Sequence, residues 1–306
     1  MIKILVTGGC GFIGSHIVEA LHQKNEVIVF DNLKSGFQKN IEPFNVKFVE
    51  GDVRNAELLR ISLKDVNTIY HLAALISVPE SMEKPVETVE INTIGTLNVL
   101  EAARINGVRN IVLSSSAANY GDNPVVPKIE TMLPEPKSPY AITKLDGEYY
   151  FNMYRNEFGI NAVSLRYFNA FGPRQDPNSQ YAAAIPIFVA KALQNQDIII
   201  FGDGEQTRDF IFVKDVVQAN LLAAEKGGDL FNVAYGKKIT INQLADKIIR
   251  ITGSCSKINH GPVRPGDVKH SMADNSKITR QLGFKQAYDF DKALETTIEY
   301  FAERFK

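Results

Sequence analysis

The first stretch of the chain already leaves few folds available. Ile2 to Val6 is a β-branched apolar run that leads directly into Thr7-Gly8-Gly9-Cys10-Gly11-Phe12-Ile13-Gly14, and a helical pattern through Ile17, Val18 and Leu21 follows. Short, continuous apolar runs suit strands buried on both faces of a parallel sheet. Glycines at 8, 11 and 14 permit a tight turn, close approach of a pyrophosphate, and tight packing of helix on strand, with the anion at the helix N-terminus. A glycine loop alone is weak evidence. Here the strand before it and the helix after it supply the context a dinucleotide site requires. A second strand, Glu26 to Phe30, ends at Asp31. A carboxylate there accepts hydrogen bonds from both ribose hydroxyls and repels a 2′-phosphate, which predicts NAD rather than NADP.

The same rhythm continues. Val46 to Glu50 reads as a strand leading into Gly51-Asp52-Val53, with Asp52 placed to meet an adenine edge. Thr68 to Leu72 is a further strand, and Ala73 and Ala74 after it are small enough to lie close under a cofactor. Glu87 to Arg104 is predicted as one long amphipathic helix carrying Asn92, and Ile111 to Leu113 as a strand that stops at Ser114-Ser115-Ser116. This alternation predicts an α/β fold with a doubly wound parallel sheet, its site at the C-terminal ends of the strands.

Ser138-Pro139-Tyr140-Ala141-Ile142-Thr143-Lys144 meets that edge. Pro is well tolerated in a first helical turn, so a helix is expected to begin here. Positions i and i+4 share a helix face, which lets Tyr140 and Lys144 point at one place. A nearby cation stabilises phenolate and lowers a tyrosine pKa, making the pair a general base near neutral pH. The same spacing also suits a surface tyrosine with a solvated lysine.

Composition narrows the class. With 34 basic and 35 acidic residues in 306, the net charge of -1 carries no polyelectrolyte signature, so neither nucleic acid nor a membrane surface is an expected partner. Cys10 and Cys255 have no metal-ligand spacing and form no disulfide framework, which fits a reducing cytoplasm. The N-terminus runs into a strand without a signal peptide, and no apolar run approaches membrane-spanning length. His16, His22, His71, His260 and His270 do not cluster as ligands, so no metal is expected.

Beyond Phe168 the alternation breaks up and Pro, Gly and polar residues become frequent, as in a substrate lobe. Gly172 to Pro177 reads as a loop that could form a rim over substrate. Ala182 to Leu193 reads as a helix, Ile198 to Phe201 as a strand, Asp215 to Ala224 as a helix and Phe231 to Val233 as a strand returning to the main sheet. Thr240 and Gln243 form a capping-box pattern opening a helix to about Ile251, and a final helix is expected from Phe290 to Phe305. The lobes therefore interleave: a nucleotide-binding domain of 1–167 with 212–235, and a substrate domain of 168–211 with 236–306.

Taken together, these motifs resemble the extended short-chain dehydrogenase/reductase family over nearly the whole length. They are Gly8-x-x-Gly11-x-x-Gly14, Asp31, Asp52-Val53, His71-Leu72-Ala73-Ala74, Ser114-Ser115-Ser116, Tyr140-x-x-x-Lys144, Arg166-Tyr167-Phe168-Asn169, Gly202-Asp203-Gly204, Arg208-Asp209-Phe210 and Arg264-Pro265-Gly266-Asp267. Within the family the chain is similar to the NAD-dependent nucleotide-sugar 4-epimerases acting on UDP-glucose or UDP-N-acetylglucosamine. The resemblance implies a Rossmann sheet, Tyr140 as acid/base, Lys144 on the nicotinamide ribose and Ser116 on a sugar hydroxyl. It implies further NAD contacts from Gly8, Gly11, Phe12, Ile13, Gly14, Asp31, Asn32, Ser35, Gly36, Asp52, Val53, Leu72, Ala73, Ala74, Asn92, Ser114 and Phe168. UDP-sugar contacts are implied for Ser77, Val78, Asn169, Ala183, Phe201, Arg208, Arg264, Asp267 and Ser271, with Arg208 and Arg264 on the diphosphate.

Related dehydratases and decarboxylases carry an acidic residue just after the serine strand, whereas Ser116-Ala117-Ala118-Asn119-Tyr120-Gly121 has none, which favours simple epimerisation. Asn119 stands where the family more often has an aliphatic residue, and the sequence offers no account of it. Ser271 occupies a position that borders the sugar's 2-substituent in related epimerases, and a small residue leaves volume for an N-acetyl group. Gln175-Asp176-Pro177-Asn178 with Tyr181-Ala182-Ala183 also resembles N-acetylhexosamine epimerases. The resemblance thus implies interconversion of UDP-GlcNAc and UDP-GalNAc, extending to UDP-glucose and UDP-galactose, through a 4-keto intermediate. It also implies a homodimer through helices near 87–104 and 139–157. A UDP-glucuronate 4-epimerase, another sugar-nucleotide enzyme of the family, and a non-catalytic NAD-binding sensor stay open as alternatives.

Overall fold

The computed structural model describes residues 1–177, 183–263 and 269–304. Asn178, Tyr181, Ala182, Arg264, Asp267 and Phe305 lie outside the described residues.

The apolar runs form strands at Lys3–Thr7 (β1), Glu26–Asp31 (β2), Lys47–Glu50 (β3), Thr68–His71 (β4), Asn110–Ser116 (β5) and Asn161–Tyr167 (β6). Shorter strands follow at Asn169–Phe171 (β7), Ile198–Phe201 (β8), Thr207–Arg208 (β9), Phe210–Phe212 (β10), Leu230–Val233 (β11), Ile239–Thr240 (β12) and Ile258–Gly261 (β13). Seven of them make the main sheet, in the order β11-β6-β5-β4-β1-β2-β3, every pair parallel. The order reverses between β1 and β4, where Thr7 lies opposite His71. The chain leaves that point in opposite directions, opening a crevice at the strand ends.

Successive strand residues serve different cores. Ile4, Val6, Val27, Val29, Val112 and Val163 pack on one face, and Leu5, Ile28, Phe30, Ile69, Ile111 and Leu113 on the other. Burial of both faces is why these strands read as unbroken apolar runs. The helices are Phe12–Leu21 (α1), Ala56–Ser62 (α2), Val78–Glu83 (α3), Pro85–Val89 (α4), Gly95–Ile105 (α5), Pro139–Phe158 (α6), Ala184–Leu193 (α7), Val213–Lys226 (α8), Ile241–Thr252 (α9), Ser276–Leu282 (α10) and Phe290–Ala302 (α11). α1, α8 and α10 cover the first face, and α2, α5 and α6 the second. Emptying the second core at Phe151, which is fully buried, costs about 3–5 kcal/mol.

Three elements differ from expectation. The helix expected over 87–104 is broken by a wide π turn at Glu90–Ile94, between α4 and α5. Such a turn inserts one residue into the helical ladder and rotates the side chains that follow it. β5 continues through the three serines instead of stopping before them. Residues 276–284, expected in the second lobe, place Ile278, Leu282 and Phe284 in the first-lobe core beside α8 and β11. The second lobe has its own core, built on Phe171, Phe188, Phe210, Phe212, Leu244 and Leu294. The capping box is formed: Thr240 accepts from the Gln243 amide, and the Gln243 side chain returns the bond.

Candidate active site

At the crevice the glycines have separable roles. Gly8 has φ +69°, and a Cβ on it would lie 2.7 Å from the Ala73 nitrogen. A Cβ on Gly14 would sit 2.2 Å from the Gly8 carbonyl oxygen. Both are required by the chain's own packing. A Cβ on Gly11 would meet only the Gly8 oxygen, at 3.2 Å. Internal packing therefore constrains position 11 less than 8 or 14, and Gly11 stands at the N-terminus of α1, where a pyrophosphate fits. Asp31, at the end of β2, is buried and accepts from the Cys10 and Leu33 amides. Burial raises its pKa, and those two N–H bonds oppose the rise. Gly36 packs against the Cys10 backbone, so the loop carrying Asn32 and Ser35 wraps the glycine turn. Asp52 accepts from Asn32 and twice from the Arg54 guanidinium, which holds its carboxyl well below the usual range. Gly11 at the helix N-terminus and a carboxylate at a strand end fit the diphosphate and ribose of NAD.

Beneath this turn runs a buried relay. Thr96 donates to the Asn92 carbonyl, so its oxygen accepts from His71 Nε2 at 3.0 Å. His71 Nδ1 is then the acceptor for the Thr7 hydroxyl at 2.8 Å, and Thr7 Oγ1 accepts the Leu72 and Ala73 amides. Every donor finds an acceptor only with a neutral, Nε2-protonated imidazole. Burial, reinforced by Lys144, pushes the His71 pKa down to about 3. Asn92, expected on a pyrophosphate, sits at the π turn and is buried. Its side chain bonds the Leu75 amide, the Leu75 carbonyl and Thr143. It clasps the loop after β4 to α6.

Tyr140 and Lys144 lie on α6, which starts with Pro139 in its first turn and Ser138 capping the Ala141 amide. The Tyr140 hydroxyl faces Ser116, whose Oγ accepts the Ala118 amide. Lys144 is buried and donates to the Ser114 carbonyl at 2.8 Å, with Nζ 5.8 Å from the centroid of the Tyr140 ring. The expected lowering of the Tyr140 pKa by Lys144 does not occur: burial raises it, and the group opposing that rise is Ser116. Burial likewise pulls Lys144 down to about 8.

Several contributors escaped the sequence reading. Ser81, fully buried on α3, donates to the Val78 carbonyl and accepts the Tyr140 amide at 3.2 Å. It joins the Ser77–Val78 segment to the backbone of Tyr140, while Ser77 caps α3. Glu148, one turn beyond Lys144 on α6, pairs bidentately with buried Arg166 of β6 at 2.8 and 2.7 Å. Glu148 also accepts from Ser115 and from Asn119, which gives Asn119 its structural role. The i+8 spacing from Tyr140 was the signal available for Glu148.

On the substrate side, buried Asp209 accepts the Tyr235, Gly236 and Ala273 amides. Burial pushes its pKa up to about 7. Asn169 is fixed on the Asp209 carbonyl, and Arg208 donates to the Thr207 carbonyl. The Ser271 amide donates to the Thr207 carbonyl, so this half-buried serine lies in an irregular segment alongside β9, the strand of Arg208. Phe168 packs on Tyr120 and Ala273 in a small separate core. Ala183 precedes α7, and Phe201 ends β8. Asp209, next to Arg208 in the chain, thus ties Asn169 through its carbonyl and the Ser271–Ala273 segment through its carboxylate.

The likeness to known proteins runs the length of the chain. The model of the NAD dependent epimerase/dehydratase family matches residues 4–234. A UDP-N-acetylglucosamine 4-epimerase from Methanobrevibacter ruminantium M1, solved with UDP-N-acetylmuramic acid, superimposes with TM-score 0.95 at 41% identity, covering 99% of each chain. UDP-glucose 4-epimerase from Thermotoga maritima, solved with UDP-glucose, gives 0.96 at 40% identity over 100% of both chains. The UDP-glucose 4-epimerase of Mycolicibacterium smegmatis is 36% identical over 311 aligned residues, 99% of each chain. On this breadth of agreement, the chain belongs to the NAD-dependent epimerase/dehydratase family.

Proposed function

We propose that the protein is an NAD-dependent UDP-hexose 4-epimerase, with UDP-GlcNAc and UDP-GalNAc as its preferred pair and UDP-glucose and UDP-galactose within reach. The observation that carries this is convergence: Tyr140, Ser116 and Lys144 meet at the sheet edge that also holds Gly11 and Asp31. Bound NAD supplies a hydride acceptor and a positive ring charge. Tyr140 takes the proton of the sugar 4-hydroxyl and returns it, through a 4-keto sugar, with Ser116 holding that oxygen. Lys144, kept mainly protonated at neutral pH, holds ribose hydroxyls and fixes the Ser114 strand end. Arg208, drawn in by Asp209, holds the diphosphate together with Arg264, so the sugar can turn while the nucleotide stays. Ser271, small and half-buried, leaves space at the 2-substituent.

The remaining assignments belong to the same proposal. The first lobe holds the cofactor and the second the UDP-sugar, supported by their separate buried cores. The protein is a homodimer through α4, α5 and α6, which expose Val86 at 70%, Ile105 at 59% and Tyr149 at 61%. Its setting is cytoplasmic, supported by two unpaired cysteines.

The test incubates the purified protein with UDP-GlcNAc, UDP-glucose and UDP-glucuronate and resolves the 4-epimers formed. Turnover of UDP-GlcNAc is expected, and Tyr140→Phe should bind UDP-sugar without turning it over. Turnover of UDP-glucose alone would remove the N-acetyl assignment. Turnover by Tyr140→Phe would remove the base.

A further inference from the structure

Three residues of α6, four positions apart, engage three consecutive serines of β5. Tyr140 faces Ser116, Lys144 donates to the Ser114 carbonyl at 2.8 Å, and Glu148 accepts from Ser115 at 2.5 Å. The first two belong to the proposed chemistry. Glu148 faces no cofactor or substrate residue: it is buried beneath them, with Arg166 bidentate on its carboxylate and Asn119 on Oε1. The Tyr120 ring lies under the Arg166 guanidinium at 4.5 Å, and the Tyr120 hydroxyl is held by Asn232.

We propose that Glu148 is a positioning residue that sets the register of α6 on β5, and through it the reach of Tyr140 to Ser116 and of Lys144 to Ser114. The inference rests on the reading of Tyr140 as acid/base. A helix packed on a strand through apolar contacts alone can slide or roll by fractions of an ångström at small cost, whereas a bidentate pair has one geometry. The Glu148 carboxylate receives donors from β5, from the turn after β5 and from β6. It therefore locates α6 against three pieces of the sheet at once, one helical turn from Lys144. A buried ion pair is weak support for stability but well suited to fixing a unique arrangement.

The experiment compares Tyr140→Phe, Ser115→Ala and the charge-free pair Glu148→Leu with Arg166→Met. The last leaves no lone buried charge, and Ser115→Ala removes the strand-side bond to Glu148 together with a bond accepted from Asn119 while keeping the ion pair, so one readable protein remains should the double variant not fold. Each is assayed for kcat, KM for UDP-sugar, bound NAD, and the pH dependence of kcat. The positioning role predicts at least a tenfold fall in kcat for the double variant and a smaller fall for Ser115→Ala. KM for UDP-sugar should stay within twofold, and the rising limb of kcat should move to higher pH as Tyr140 loses Ser116. Folded variants with the parent kcat and pH profile overturn the proposal. An active Tyr140→Phe overturns the base assignment instead, so the two failures are distinct.

Discussion

Lys144 donates to the Ser114 carbonyl oxygen at 2.8 Å while its Nζ rests 5.8 Å from the centroid of the Tyr140 ring. Burial lowers its pKa from 10.5 to about 8. Between those values the unfolded chain holds more protons than the folded one, so the Lys144 contribution makes stability rise with pH across that window. Relative to Lys144→Met, which lacks the titration, the parent protein should gain about 3 kcal/mol from about pH 8 to about pH 10.5. Urea unfolding of both proteins at the two ends measures it. A constant difference would mean that Lys144 is not desolvated.

Ser81 supplies the hydroxyl that receives the Tyr140 amide, one of the unpaired donors at the start of α6. Ser81→Ala should cost about 1–2 kcal/mol. It should also lower kcat more than it changes KM, because the catalytic backbone loses its tie to the Ser77–Val78 segment. Melting temperature and steady-state kinetics separate the two effects, and an unaltered kcat would reduce the contact to a helix cap.

The glycine loop offers a sharper contrast. Gly14→Ala forces a Cβ to 2.2 Å from the Gly8 oxygen and should destabilise the fold by about 3 kcal/mol or more. Gly11→Ala meets one atom at 3.2 Å and should fold normally while retaining far less NAD. Thermal melts and the NAD released on acid precipitation test the pair. A Gly11→Ala protein that keeps its full NAD content would end the reading of that turn as a phosphate cradle.

Asp209 receives three backbone amides, and Asp209→Asn turns an acceptor into a donor facing them. The expected loss is roughly 1–3 kcal/mol, with weaker UDP binding because Arg208 and the Ser271–Ala273 segment flank this anchor. With a folded pKa raised from 3.8 to about 7, the carboxyl binds its proton more readily in the folded state. This contribution to stability is complete below the unfolded value and fades as pH climbs toward about 7. The slope should be absent in the variant, as denaturant midpoints across that range will report.

The parallel sheet was readable because strands buried on both faces need unbroken apolar runs, and the glycine loop because its geometry admits few other residues. The α6 start was equally plain, with Ser138 and Pro139 in their preferred places. What escaped had no local signature. The π turn at Glu90–Ile94 leaves helical spacing nearly intact, so nothing in the sequence showed that Asn92, expected on the cofactor, is instead held by Leu75 and Thr143. Glu148 looked like an ordinary solvated charge, because its ion-pair partner Arg166 lies on another element. Asn119 made no sense without that carboxylate. The sign of the Tyr140 shift was missed because spacing reveals a neighbouring cation but not the loss of water around both groups.

β11 reaches the main sheet only after the segment 168–229 has run through much of the second lobe, and it pairs with Ser164–Tyr167 of β6. On a ribosome, β6 therefore waits with an open edge while that whole segment is made. Any chain released within it carries unpaired backbone donors and acceptors ready to join another strand. Residues assigned here to holding sugar nucleotide thus also lengthen the most aggregation-prone interval of synthesis. Premature termination before Leu230 should yield insoluble product rather than a free-standing nucleotide-binding domain.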